Sequence, residues 1–498
     1  MESQDIQPQD PNKEEIITNK QLSLFSALIP IIALVGMLTY NVRGVFGDDA
    51  LSGSNQFILL LGAAVAAIVG FSHKVKYEAM IEEVAKNIKS TAGAILILLF
   101  VGALSGTWLI SGIIPAMIYY GLDILNPTIF LPASVIICSI ISIATGSSWT
   151  TSATVGIALV GIGNALGIPM GMTAGAVISG AYFGDKISPL SDTTNLAPAM
   201  AGTDLFTHIR YMLYTTVPSL VVSLILFIII GLSIDTSGRP DVHVIQKTIS
   251  ESFNISPWLF LVPAIVILMI VRKTQPLIAL LIGTLLGGIF ALIFQPNIVL
   301  QVAGDNVEGL SYASKFYKGV MNAITVDVSV ATEDASLNDL FSSGGMKGML
   351  GTIWLILCAM TFGGIMEAIG ALSKITEFLL KLFNSAFGLF ASTVASCLTL
   401  NLTASDQYLA IVVPGKMFAQ AYKDKGLAPE NLSRSLEDSG TVTSVLVPWN
   451  TCGAYQSGVL GVPTVSYLPY AFFNILSPFM TLLFAALSIK IRMIKDKI

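Results

Sequence analysis

Two acids, a lysine, four hydroxyls, an amide and a proline are packed into Gly184-Asp185-Lys186-Ile187-Ser188-Pro189-Leu190-Ser191-Asp192-Thr193-Thr194-Asn195, between long apolar segments. Hydrocarbon penalises an unsatisfied backbone group or charge by several kcal/mol, so such a run at membrane depth needs protein or a water-filled cavity around it. Hard cations bind carboxylate, hydroxyl, amide and free backbone oxygens, and an unwound helix turn exposes the last of these. A carboxylate holds either a cation or a proton, not both well. Coupled to alternating exposure, that competition is sufficient for cation/proton exchange. It requires an acid that binds its proton more tightly than a free carboxyl does.

Three further stretches have the same character: Thr145 to Ser152, Thr403 to Tyr408, and Glu437 to Ser444 continuing into Pro448-Trp449-Asn450-Thr451. Asp185 is the first candidate for the exchanging acid; the alternative is a pair with Lys186 or a cap on the next segment. Asp192, with Thr193, Thr194 and Asn195, is a dense oxygen cluster that reads nearly as well as loop capping. Asp406 lies in the second-half break. Glu437 and Asp438 are further ion- or proton-binding candidates; they follow Lys423, Lys425 and Arg434, a basic patch that one of them can instead simply neutralise. Ser147, Ser148, Thr150, Thr151, Thr403, Ser405 and Asn450 are candidate supporting ligands, although each alone serves as well for packing. Glu367 is a second proton site or a snorkelling helix-end acid.

The elements that must position these residues are membrane helices. Of 498 residues, 54% are hydrophobic and 11% charged, against about 25% charged in soluble domains. Apolar runs near spanning length recur from Leu22 to Ile489, predicting a polytopic all-α membrane protein with roughly 11 to 13 segments, some of them discontinuous or re-entrant. The net charge of −5 with no basic stripe excludes nucleic acid as the expected partner, leaving the lipid bilayer. Four Cys and three His show no metal spacing, so no cofactor and no metal beyond a transported cation is expected. The polar residues 1–21 read as a cytosolic tail rather than a cleaved signal. Lysines 74, 76, 86 and 89 outweigh Arg43, Asp48 and Asp49 of the preceding loop, and Lys490, Arg492, Lys495 and Lys497 close the chain. Both termini are therefore predicted cytoplasmic.

Shifting the chain by 258 residues superposes Gly93 on Gly351, Gly106 on Gly364, Gly112 on Gly370, Thr145 on Thr403 and Ser147 on Ser405. This predicts membrane helices at 22–73, a first repeat at 74–234, a polar linker with connecting helices at 235–333, a second repeat at 334–490 and a tail at 491–498. Each repeat opens on an amphipathic stretch, Tyr77 to Ile88 and around Leu337, Leu340 and Phe341, suited to the interface. An odd number of crossings per half would invert the second copy. Inverted repeats with paired interruptions point to a secondary transporter with a midplane site.

The motifs Gly-Ser-Ser-Trp-Thr-Thr at 146–151, Tyr-Phe-Gly-Asp-Lys-Ile-Ser-Pro-Leu-Ser-Asp-Thr-Thr-Asn at 182–195, Phe-Gly-Gly-Ile-Met-Glu at 362–367 and Pro-Trp-Asn-Thr-Cys-Gly at 448–453 together resemble the NhaC family of bacterial Na⁺/H⁺ antiporters. The resemblance runs from about Tyr77 to near residue 485. It implies a multi-pass protein of the bacterial inner membrane that exports Na⁺ against H⁺, with two inverted halves around a central site; such folds are compatible with a homodimer. The runner-up is Na⁺-coupled movement of malate, lactate or an amino acid, since the family also includes such exchangers; Lys186, Arg434 or a half-helix N-terminus could hold the carboxylate. No His-Glu-x-x-His, Gly-x-Ser-x-Gly or phosphate-loop motif is present, so no enzyme is expected.

Overall fold

The computed structural model describes residues 17–19, 21–46, 53–124, 126–234, 242–304, 309–332, 338, 341–382 and 385–494. Most of the expected tail at 1–21, the linker start at 235–241, the repeat boundary at 333–337, Leu337, Leu340 and Lys495 to the end lie outside the described residues. What is described is helical, apart from a short antiparallel pairing of Val328–Ser329 with Ser342–Ser343 and an isolated bridge between Leu427 and Met493.

Eight described helices are long and apolar enough to cross a bilayer: Leu24–Phe46, Ser54–Ser72, Ala92–Ile110, Pro127–Thr145, Leu205–Ser233, Pro276–Phe294, Gly345–Ala368 and Ala386–Thr403. Two bent pairs, Val242–Ser252 with Pro257–Val271 (88°) and Thr464–Tyr470 with Phe472–Ala486 (54°), bring the count to at most 10. The sequence predicts roughly 11 to 13 segments. Part of the shortfall falls on Met170–Ile187, which is 18 residues long but mostly enclosed by other helices, and on short broken pieces such as Thr451–Leu460, 10 residues long and likewise mostly buried. They have no need of the apolar perimeter that lipid demands. Phe25, Ile68, Leu232 and Ile293 are exposed on the outer helices, as lipid contact requires.

The helix pattern repeats at the offset read from the sequence. Ala92–Ile110 and Ile113–Ile124 recur as Leu350–Ala368 and Ala371–Leu382, every end 258 residues on. Beyond Thr403 the offset becomes 259: Asp192–Ala201 recurs as Thr451–Leu460, and the left-handed glycines Gly167 and Gly202 recur as Gly426 and Gly461. Tyr77–Ser90 is helical, as expected, and runs into Ala92–Ile110 with only Thr91 between. Gly102 packs on the backbone of Gly345, whereas Gly364 packs on that of Val84, so these stretches run in opposite directions.

Small residues set the spacing around the site. Helix Met170–Ile187 packs tightly on Pro127–Thr145; a Cβ at Gly184 would meet Ser142 Cβ at 2.5 Å. Glycine is required here by close approach, and it seats the next residue, Asp185, beside the first break.

Candidate functional site

Helix Pro127–Thr145 stops because Gly146 turns left-handed, with φ +70°. Ser147 then caps a new helix: its Oγ accepts from the Thr150 N–H at 3.2 Å and from the Thr150 hydroxyl at 3.1 Å. The first turn of that helix points donors at a neighbour. Asp185 Oδ2 accepts from the Ser148 N–H at 3.1 Å and the Ser148 hydroxyl at 2.6 Å. A carboxylate at a helix N-terminus is stabilised by the exposed N–H groups and the partial positive charge there. Adjacent Lys186 points away from Asp185 and is paired elsewhere.

The second-half break has the same course but different chemistry. Helix Ala386–Thr403 ends before Ser405, which takes the left-handed conformation at φ +60° without being glycine. Asp406 caps the next helix, Gln407–Asp424, its Oδ1 accepting from Tyr408 N at 2.8 Å and Leu409 N at 3.1 Å. The caps therefore align Ser147 with Asp406, one residue beyond the alignment with Ser405 read from the sequence. Trp149 stacks on Tyr455 at 3.9 Å between ring centroids, and the Tyr455 hydroxyl donates to the Trp149 carbonyl at 3.1 Å.

Both breaks face one cavity of about 510 Å³. Asp185, Asp192 and Asp406 line it, with Ser147 and Thr150. Thr193 of the Asp192 cluster lines it as well, and so do Thr145, Ser191, Gln407, Tyr408 and Thr451, which were not among the residues selected from sequence. The signal available for Ser191 and Thr451 was their place at the start of helices Asp192–Ala201 and Thr451–Leu460. Tyr408 lies within electrostatic reach of all three acids. The acids line a shared space without closing into a cage: among the described residues no three His, Cys, Asp or Glu come close enough to hold a metal ion together. A cation entering here would meet fewer than three carboxylates at once, supplemented by hydroxyls, carbonyls and water.

Other selected residues do not line the cavity. The Thr194 hydroxyl donates to the Asp185 and Lys186 carbonyls at 3.1 and 3.0 Å, closing the end of helix Met170–Ile187. Asn195 binds the Pro189 and Ser191 carbonyls, while Thr151 and Thr403 bond to carbonyls four residues back. Asn450 caps helix Thr451–Leu460 and reaches Asn401. Ser148 serves Asp185, and Ser405 is buried with its hydroxyl unpartnered. Glu437 and Asp438 sit behind the cavity wall on a π-helical turn, Glu437–Thr441. Asp438 is engaged by Lys186 and by the Thr481 hydroxyl, with both charged side chains fully buried. Glu437 accepts from Thr193 at 3.1 Å. Glu367 lies at the end of helix Leu350–Ala368, away from the cavity.

Fold and site together define a polytopic helical membrane protein whose broken helices enclose an acid-lined cavity. The model of the Na⁺/H⁺ antiporter family matches residues 180–489. The chain is 37% identical over 431 residues to the Na⁺/H⁺ antiporter NhaC of Alkalihalophilus pseudofirmus, covering 86% of this chain and 90% of that protein. It is 36% identical over 428 residues to the Na⁺/H⁺ antiporter NhaC of Bacillus subtilis, covering 86% and 90%. It is also 36% identical over 417 residues to the malate-2H⁺/Na⁺-lactate antiporter of Bacillus subtilis, covering 83% and 85%. The chain belongs to the Na⁺/H⁺ antiporter family, in keeping with its NhaC-like motifs.

Proposed function

We propose that this chain is a secondary transporter of the bacterial cytoplasmic membrane that exports Na⁺ in exchange for H⁺, and that Asp185, Asp192 and Asp406 form its shared cation and proton site. The observation that carries this reading is the convergence of acids from both halves of the chain on one internal cavity. Na⁺ entering displaces protons from these acids, and protons arriving from the other side displace Na⁺. Apparent Na⁺ affinity therefore falls as pH falls.

The cavity mouth is bordered by Ser90 and Thr91, at the end of the helix carrying Lys86 and Lys89, and by Lys273 and Thr274. Arg272 and Lys273 in that short turn support a cytoplasmic position for it under the positive-inside rule, alongside both termini. The repeats at 74–234 and 334–490, joined through 235–333, would then rock around the breaks. The opposed courses at Gly102–Gly345 and Val84–Gly364 support an inverted relationship between them. Taking up more than one proton per Na⁺ would let the membrane potential contribute about 2.3 kcal/mol per charge per 100 mV.

In everted vesicles energised by respiration, Na⁺ addition should collapse the pH gradient when the protein is present. No collapse at any pH from mildly acidic to strongly alkaline, with the protein demonstrably inserted, would rule the reading out.

A second reading has one observation of its own. A cavity of about 510 Å³ is larger than a bare cation needs, and Lys273 at its edge could meet a small carboxylate. Uptake of radiolabelled malate, lactate and amino acids into proteoliposomes separates the two. Solute flux tied to Na⁺ favours organic-anion exchange; Na⁺/H⁺ exchange without solute favours the first reading.

A further inference from the structure

Resting on the antiport reading above, we propose that Glu437 is a proton store behind the cation cavity, loaded and emptied through the Thr193 and Ser191 hydroxyls. The cavity acids and the acids behind the wall are connected by this short chain. Ser191 and Thr193 both line the cavity and lie 3.2 Å apart between hydroxyl oxygens. Thr193 donates to Glu437 Oε1 at 3.1 Å. Ser191 also neighbours Asp185. Two hydroxyls thus separate an acid exposed to the cavity from one that is fully buried.

The surroundings of Glu437 suit a proton that comes and goes. Lys186 is matched by Asp438, so a charged Glu437 has no salt-bridge partner among the described residues. Its Oε2 is buried without a hydrogen-bond partner, and the Thr441 hydroxyl beside it is likewise unpartnered. A charged Glu437 is met only by the Thr193 donor and by a Lys186 already paired with Asp438, whereas a protonated Oε2 can donate to Thr441. The groups facing Glu437 are Lys186, Asp185, Thr193 and Thr441, with Asp438 next in the chain. The π-helical turn is the local irregularity that sets both acids at this place, and such turns concentrate at functional positions.

The relay balances. The Glu437 carboxyl turns to bring its proton from the Thr441 side to the Thr193 side, and the proton then passes to Thr193 Oγ1 as the Thr193 hydroxyl turns and gives its own proton to Ser191, which releases one to cavity water; loading runs in reverse. Na⁺ settling near Asp185 adds positive charge beside Lys186 and drives the proton out. Each turnover thereby moves a proton in addition to those held by the cavity acids.

Infrared difference spectroscopy on the purified full chain in lipid tests this without relying on transport. Wild-type protein should show the carbonyl stretch of protonated carboxylic acids that diminishes when Na⁺ is added, and Glu437→Gln should lose the component belonging to Glu437 while keeping that of the cavity acids. A Na⁺-sensitive band that persists unchanged in Glu437→Gln overturns the proposal, as does its absence from the wild type. If vesicles show no Na⁺/H⁺ exchange, the antiport reading fails while the band still decides whether Glu437 carries a proton. Should Glu437→Gln fail to fold, Thr193→Val carries the test: it should keep the band but slow Na⁺-triggered proton release about tenfold or more. An unslowed release overturns the relay.

Discussion

The two breaks that face the cavity follow the same backbone course with different means. In the first, a glycine makes the left-handed turn, a neutral Ser147 caps the next helix, and a carboxylate from a third helix, Asp185, occupies the N-terminus. In the second, a serine is held left-handed and the cap is itself the carboxylate, Asp406. One half thus borrows its negative charge from elsewhere; the other builds it into the cap. Charge at the site depends on tertiary packing in the first half and on local sequence in the second.

The largest disruption should come from separating the halves behind the cavity. Lys186→Met leaves Asp438 buried without its cation, at an expected cost of about 3–5 kcal/mol. Thermal unfolding in detergent should show this, with Lys186→Met/Asp438→Leu recovering most of it. Because Asp185 precedes Lys186, the single variant should also weaken Na⁺ exchange more than any change confined to the second break.

Next comes the first turn itself. Gly146→Ala must hold an alanine at φ +70° with its Cβ at 2.5 Å from Leu190 Cβ, a loss of about 2–4 kcal/mol from strain and overpacking. The same assay reports it. If Gly146→Ala is neutral, the first break is softer than described and the contrast with Ser405 disappears.

Asp406 separates cap from charge. Asp406→Asn keeps a good N-cap and Asp406→Ala does not, so only the alanine variant should lose about 1 kcal/mol of stability. Both should lower Na⁺ affinity about 10- to 150-fold, the equivalent of a charge-assisted contact of about 1.5–3 kcal/mol. Equilibrium ²²Na⁺ binding measures the second quantity. Smallest of all, Ser405→Gly relieves left-handed strain and removes a buried unpartnered hydroxyl, a gain of about 1 kcal/mol that unfolding midpoints would register.

Much of this was legible in the chain because lipid makes polar residues conspicuous. All four polar interruptions, the duplicated pattern and the acids Asp185, Asp192 and Asp406 stand out against an apolar background. What composition and spacing do not reveal is the direction in which a hydroxyl points. Thr194 and Asn195 look like ligands beside Asp192, yet they close the surrounding turns, a competing use that short polar side chains always have. Tyr408 does not stand out as a site residue because its role depends on which helix face meets the cavity. Glu437 and Asp438 were seen as acids but not as a layer set one hydroxyl behind the wall.

The change of offset from 258 to 259 also bears on how a duplicated transporter can diverge. One residue added inside a helix turns everything beyond it by about 100° and would carry the packed faces out of register. Placed between Thr403 and Asp406, the extra residue falls where the chain is already unwound, and beyond it Thr451–Leu460 keeps the length of Asp192–Ala201 while Gly426 and Gly461 keep the left-handed positions of Gly167 and Gly202. The interruption acts as an expansion joint, letting one half gain a residue and swap a hydroxyl for a carboxylate while the scaffold beyond it stays as it was.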